Sequence, residues 1–203
     1  MSDCLVLDAS GPFAHLALVR GEETIWTETV PAGRGQGGGL FAAAETACRR
    51  TDQLREIRVG TGPGSYSGCR QAIALAQGIS MARGIPLFGL CSFLALETEC
   101  PAITAVGDAR RGMVYAAKLQ GLRIIEAPRL VALEAIDNWA GPNHPIVRFD
   151  HESNTIPGDG CAMVIARFAR ASCELSKHPI EPLYLRPPNI TQPKNRGTLL
   201  ARD

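Results

Sequence analysis

Val59-Gly60-Thr61-Gly62-Pro63-Gly64-Ser65-Tyr66-Ser67-Gly68-Cys69-Arg70 is the most densely specified stretch of this chain. An Ala/Ile/Leu-rich run follows to Arg83, closed by Gly84-Ile85-Pro86. The order is strand, glycine-rich turn, buried helix, stop and next strand. Glycines at 60, 62, 64 and 68 allow positive φ and close backbone approach. Ser67 is placed to N-cap a helix running from Gly68 to Arg83. Ile73, Leu75, Ala76, Ile79 and Ala82 have the spacing of a helix packed along much of its surface. Gly84 stops it and Pro86 prevents its continuation.

Working back from that turn, Arg55–Gly60 is the strand that delivers the chain to it. Before that, Leu40–Arg50 is a strong helix former with alanine at 42, 43, 44 and 47 and two arginines in its last turn, where cations suit the helix dipole. Gly33, Gly35, Gly37, Gly38 and Gly39 make the preceding segment a flexible loop. Cys4–Asp8 is a continuous apolar run ending on an acid, the signature of a buried strand. His15–Arg20 and Thr24–Val30 flank Arg20-Gly21-Glu22-Glu23 and predict a hairpin. Past the long helix, Pro86–Leu90 reads as a strand and Cys91–Glu99 as a short helix with Ser92 as its cap. Ala102–Val106, Met113–Leu119, Arg123–Ala127 and Pro145–Phe149 read as strands, Leu133–Trp139 and Gly160–Ser172 as helical. The tail from Pro179 is extended. Strand, hairpin, helix, strand, helix thus occurs twice, predicting two related α/β lobes over residues 1–100 and 101–203.

Composition sets the class. Hydrophobic residues are 45% of the 203, charged residues 20% and aromatic residues 5%, so the core is aliphatic and the protein an ordinary globular one. A net charge of +1 gives no electrostatic basis for autonomous nucleic-acid binding, although Arg186, Lys194, Arg196 and Arg202 gather near the C-terminus. The seven cysteines lie far apart and form no C-x-x-C pair, which reads as mostly buried, reduced thiols. No signal peptide is visible and no apolar run reaches the ~20 residues of a membrane span. The expected location is the cytoplasm, away from membranes.

Spacing tests the turn for chemistry. A Walker A loop needs Lys after its last glycine, and Gly68 is followed by Cys69-Arg70. A dinucleotide fingerprint needs glycine five residues after the first, where Ser65 or Ser67 stands. A nucleophile elbow needs glycine two residues either side of serine, and neither Ser65 nor Ser67 has it. His15, His144, His151 and His178 contain no pair four apart, so no helical H-x-x-x-H metal pair exists. Asp8 is either a turn acid before Ser10-Gly11 or a phosphate- or metal-proximal acid. Asp108, Arg110 and Arg111 are either a hairpin turn held by an Asp-to-backbone bond or an anion site. The amides before the helix leave weak anion binding open.

Several of these segments together resemble the bacterial TsaB (YeaZ) family of tRNA threonylcarbamoyladenosine-biosynthesis proteins. They are Gly60–Arg70, Ala76-Gln77-Gly78-Ile79, Gly84–Gly89, Cys91–Leu96, Asp108–Ala116, Pro182–Arg186 and the opening Leu7-Asp8-Ala9-Ser10, all in the family's order. Gly35-Gln36-Gly37-Gly38-Gly39 stands where the family has a polar helix start, and the second lobe is shorter than usual. The resemblance implies an actin-like/Hsp70-like (ASKHA) α/β fold of two small lobes with mixed sheets. It also implies a non-catalytic subunit, with no metal or cofactor of its own and ATP held by partner subunits. Such a subunit pairs with the catalytic TsaD and the ATPase TsaE, touches tRNA only indirectly, and is a homodimer when alone. The expected interface is Leu40, Ala43, Ala44 and Ala47 with Ala72, Leu75, Ala76 and Ile79. Gly60, Gly62, Pro63, Gly64, Ser65, Ser67, Gly68 and Arg70 are structural, and Asp8, Asp108, Arg110 and Arg111 gain a partner surface as a further reading. The alternative is an ATP hydrolase or glycoprotease-like peptidase of the same fold.

Overall fold

β1 (Asp3–Asp8) is the buried strand on which the first sheet is built. A computed structural model of the chain describes residues 2–32, 37–149, 156–172 and 179–185. Side chains alternate across β1: Leu5 and Leu7 enter the core beneath the helices, while Cys4 and Val6 face the second lobe. β2 (Phe13–Arg20) and β3 (Glu23–Pro31) form the expected hairpin, and β2 lies antiparallel to β1. At that end of the sheet Arg20 grips Asp3 through two bonds of 2.7 and 2.9 Å, and Thr51 Oγ1 donates to the same carboxylate. The Arg20 bonds hold the buried Asp3 carboxyl below its ordinary range.

β4 (Leu54–Gly60) and β5 (Leu87–Leu90) add on parallel, giving the order β3-β2-β1-β4-β5. Parallel pairing requires a long crossover, and α2 (Tyr66–Arg83) supplies it between β4 and β5. α1 (Gly37–Arg49) connects β3 to β4. It starts three residues before the expected Leu40, inside the glycine run. There Gly39 packs on β3, where a Cβ would meet the Val30 side chain at 3.4 Å, an ordinary contact.

β6 (Ala102–Asp108), β7 (Met113–Gln120), β8 (Arg123–Ala132), β9 (Ile146–Arg148) and β10 (Asp159–Gly160) form the second sheet. Its order is β10-β9-β6-β7-β8, with the same succession of antiparallel hairpin and parallel additions around β6 that the first has around β1. The repeat read from the sequence is therefore real at the level of topology. β8 continues past Ala127 through Pro128, which an edge strand tolerates. Leu133–Ala135 is a 3-10 turn leading into the short α3 (Ile136–Ala140). The segment expected to be helical over 160–172 is instead β10 at its start and a 3-10 helix over Ile165–Arg170.

The two sheets lie either side of residue 100 and share a core. Cys4, Val6, Ala17 and Val19 of the first meet Ile103, Ala105, Ala117 and Leu119 of the second, with Phe93, Phe149 and Phe168 filling the space between. Phe93 and Phe149 pack edge to face at 5.6 Å. No helix among the described residues is long and apolar enough to cross a membrane. Each lobe carries one half-buried tryptophan, Trp26 in β3 and Trp139 in α3. A shared core makes unfolding one cooperative event. The single-tryptophan variants Trp26→Phe and Trp139→Phe are expected to report urea transitions with one midpoint relative to far-UV circular dichroism; separated midpoints would mean that the lobes unfold independently.

Candidate functional site

Asp8 ends β1 fully buried, without a cationic partner among the described ion pairs. Its Oδ1 accepts from the Ser10 amide at 2.8 Å and from Ser10 Oγ at 2.5 Å, and its Oδ2 accepts from Ser92 Oγ. Ser92 Oγ in turn accepts from the Gly62 amide at 2.9 Å. One carboxylate thus links the end of β1, the residue two after β5, and the glycine-rich turn. Asp8 is a turn acid before Ser10, as one of the two sequence readings had it, and it also reaches across 84 residues to Ser92.

The turn's amides are largely used within the fold. Thr61 N donates to Leu90 O at 2.7 Å, Ser65 N to Ser10 O at 2.7 Å, and Cys69 N to Ser65 O at 3.0 Å. Gly60 and Gly68 are required by close approach. A Cβ on Gly60 would overlap the Asp8 carboxylate, and one on Gly68 would overlap the carbonyl oxygen of Ala9. The cap lies two residues earlier than expected. Ser65 has non-helical backbone angles, and its Oγ accepts from Gly68 N at 3.2 Å, while Ser67 sits exposed within the first helical turn. Ser92 does not cap either: its 3-10 helix, Ser92–Ala95, follows Cys91 without a side-chain cap, because its hydroxyl is engaged with Asp8 and Gly62.

Asp108 occupies in the second sheet the position of Asp8 in the first, at the end of the central strand. Its Oδ1 accepts from the Arg110 amide at 2.6 Å, and Arg110 Nη1 lies 2.9 Å from its Oδ2. Arg110 and Arg111 adopt left-handed φ values of 62° and 56° with their side chains exposed. This is the hairpin-turn reading. The Ser10–Pro12 loop, the Pro63–Tyr66 turn and the Gly107–Arg110 turn border a cleft of about 500 Å³ between the lobes, with Tyr115 and Phe149 in its wall.

The titratable groups near Asp8 are not poised as nucleophiles. Burial pushes the Cys91 thiol up to about 12, with the Asp8 charge adding to the rise, and burial pushes Cys69 higher still. Burial lowers the pKa of His15, favouring neutral imidazole, and its Nδ1 lies 3.1 Å from Thr29 Oγ1. His144 stands in the loop before β9; His151, like His178 and the basic residues from Arg186 onward, lies outside the described residues. Among the described residues no group of three or more His, Cys, Asp or Glu side chains is arranged to hold a metal.

The expected interface residues divide in two. Leu40, Ala43, Ala44, Ala47, Ala72 and Ala76 are all buried in the core between the helices and the first sheet. They are core residues, corrected from a partner face, because small side chains are what let α1 and α2 lie close on the strands. Leu75 and Ile79 are half-buried. The outward surface is made by Phe41, Ala42 and Glu45 on α1, and by Tyr66, Ala74, Gly78 and Met81 on α2 together with Arg70, which the sequence reading had placed in the structural turn and which is exposed.

Comparison with known proteins bears on this arrangement. The model of the family "TsaD: tRNA N6-adenosine threonylcarbamoyltransferase" matches residues 40–147, which include the turn, both long helices from Leu40 onward, and Asp108. An uncharacterized protein of Mycobacterium tuberculosis is 32% identical over 146 residues, 68% of each chain. The tRNA threonylcarbamoyladenosine biosynthesis protein TsaB of Escherichia coli is 30% identical over 73 residues, 33% of this chain and 32% of that one. The chain belongs to the family that the TsaD model describes and is similar to TsaB (YeaZ) proteins. The YeaZ structure from Pseudomonas aeruginosa superposes with a TM-score of 0.72 over 91% of this chain and 100% of that one, at 19% identity. The two-lobed mixed-sheet architecture is therefore shared with a TsaB-family protein of known structure.

Asp8→Ala removes the acceptor for three donors inside the protein. It is expected to cost about 3 kcal/mol or more of unfolding free energy. Urea denaturation measures this directly, and a stability within about 0.5 kcal/mol of wild type, the range of an ordinary surface change, would contradict a structural Asp8.

Proposed function

We propose that this chain is an accessory subunit of a tRNA threonylcarbamoyladenosine-forming assembly. In this reading it pairs with a TsaD-like catalytic subunit, which a TsaE-like ATPase joins, and it contributes no bond-making chemistry itself. The assembly transfers a threonylcarbamoyl group to the adenosine 3′ of the tRNA anticodon, in the cytoplasm. Nucleotide is bound by the partners, and this chain meets tRNA only through them.

One observation carries the reading. The elements that a catalytic relative would turn toward phosphate, the Asp8 carboxylate and the glycine-rich turn, are engaged with each other through Ser10 and Ser92. The outer faces of α1 and α2 are instead left uncovered, with Phe41 50%, Tyr66 47% and Met81 84% exposed. Large apolar side chains exposed on two helices point to an interaction surface. The alternative of an ATP hydrolase or peptidase would need a nucleophile or a phosphate cradle, and the thiols close to Asp8 are held protonated.

Reconstitution tests this. TsaD-like and TsaE-like proteins of the same organism, supplied with tRNA and threonylcarbamoyl-adenylate, are expected to modify tRNA at least tenfold faster when this chain is added, a gain of about 1.4 kcal/mol in activation free energy. No stimulation, or steady ATP or peptide hydrolysis by the chain alone, would contradict the accessory role.

A further inference from the structure

The segment 179–185 follows the second lobe in sequence but packs on the first. Ile180 is buried in the core under the helices, against Gly89 and Thr61. Gln77 Nε2 of α2 donates to Ile180 O at 3.1 Å, and Leu183 N donates to Thr61 O at 2.8 Å. These anchors place Tyr184 beside the start of α2, where its ring stacks on that of Tyr66 with centroids 5.0 Å apart and planes at 29°. Arg70, one turn further along α2, lies over the Tyr66 ring at 5.3 Å and donates from Nη1 to Tyr66 Oη at 2.7 Å. All three side chains are exposed.

We propose that Tyr66, Arg70 and Tyr184 form a composite anchor that binds a carboxylate side chain of the partner subunit. The inference rests on the accessory-subunit reading and specifies the chemistry of its interface. Arg70 enters no ion pair among the described residues, and α2 contains no acidic residue that could neutralise it. Its guanidinium has five N–H donors in a fixed fork, and the Tyr66 and Tyr184 hydroxyls engage only part of it. The stacked tyrosines hold that fork in place before binding, which reduces the ordering cost of a bidentate carboxylate contact. Tyr and Arg are the residue types that dominate interface hot spots. A single fixed cation beside a stacked ring pair suits one carboxylate. Nucleic acid would call for several phosphate contacts and free aromatic faces, whereas the net charge is +1 and the Tyr66 ring is already engaged by Tyr184 and Arg70. A second copy of this chain would set Arg70 against an α2 face that also lacks acids.

The surface is thus built from two distant parts of the chain, and Tyr184 completes it. The test uses the full chain and its TsaD-like partner in isothermal titration calorimetry, with thermal melts of each variant as a folding control. Arg70→Ala and Arg70→Lys are each expected to weaken binding by about tenfold or more, because lysine lacks the planar fork. Tyr184→Ala is expected to weaken it about fivefold and Tyr184→Phe by less, since the stack survives while the hydroxyl contact to Arg70 is lost. Wild-type binding that persists unchanged in Arg70→Ala or Arg70→Lys with intact melts would overturn the proposal and leave the accessory-subunit reading standing. Loss of tRNA affinity with partner affinity intact would overturn it in favour of RNA. Absence of binding by the wild-type chain would overturn the accessory-subunit reading, and the proposal with it.

Discussion

A buried carboxylate with no counter-cation among the described residues is the constraint on which the first lobe depends. Removing Asp8 from water carries a large desolvation penalty unless hydrogen bonds replace its hydration. Ser10 supplies two of them and Ser92 a third. Satisfying Asp8 therefore fixes the chain just after β1 and just after β5 at once. With Ser10 held, its carbonyl is in place for the Ser65 amide; with Ser92 held, its hydroxyl is in place for the Gly62 amide. The start of α2 is located by those two bonds, and Gly60, Gly64 and Gly68 are positions where no side chain could be fitted into the arrangement. The second lobe repeats the device in weaker form, with Asp108 capping its own turn and pairing with an exposed Arg110.

The consequence for function is a change in what the turn is for. In a glycine-rich loop ahead of a helix, free amides and the helix dipole favour an anion. Here Thr61, Gly62, Ser65, Gly68 and Cys69 all donate to acceptors of the same chain. What the helices offer outward is exposed side chains, Tyr66, Arg70 and Met81 on α2 and Phe41 on α1, with Tyr184 stacked on Tyr66. On the accessory-subunit proposal, specificity would lie in which protein meets that surface.

Much of this was legible in the sequence because it depends on local rules. The apolar run of β1, the Arg20–Glu23 hairpin, the glycine that stops α2 and the repetition of the strand pattern all follow from periodicity and turn chemistry. The cap was misplaced by two residues because Ser65 and Ser67 are chemically equivalent candidates, and only the backbone angles at Ser65 distinguish them. The alanines of α1 and α2 were assigned outward because a small-residue face serves packing within a chain as well as between chains. Which one applies depends on how the sheet lies beneath the helices. Ser92 and Tyr184 gave no local signal, since their partners Asp8 and Tyr66 lie 84 and more than 100 residues away.

The central claim is that the glycine-rich turn is architecture held by Asp8, and amide hydrogen exchange tests it most directly. The Gly62 and Ser65 amides, bonded to Ser92 Oγ and Ser10 O, should exchange slowly in the free protein, close to the rate set by global unfolding. Their rates should be unchanged by saturating Mg-ATP. Fast exchange in the free protein, slowed when the nucleotide is added, would contradict the account and return the turn to the role of a phosphate cradle.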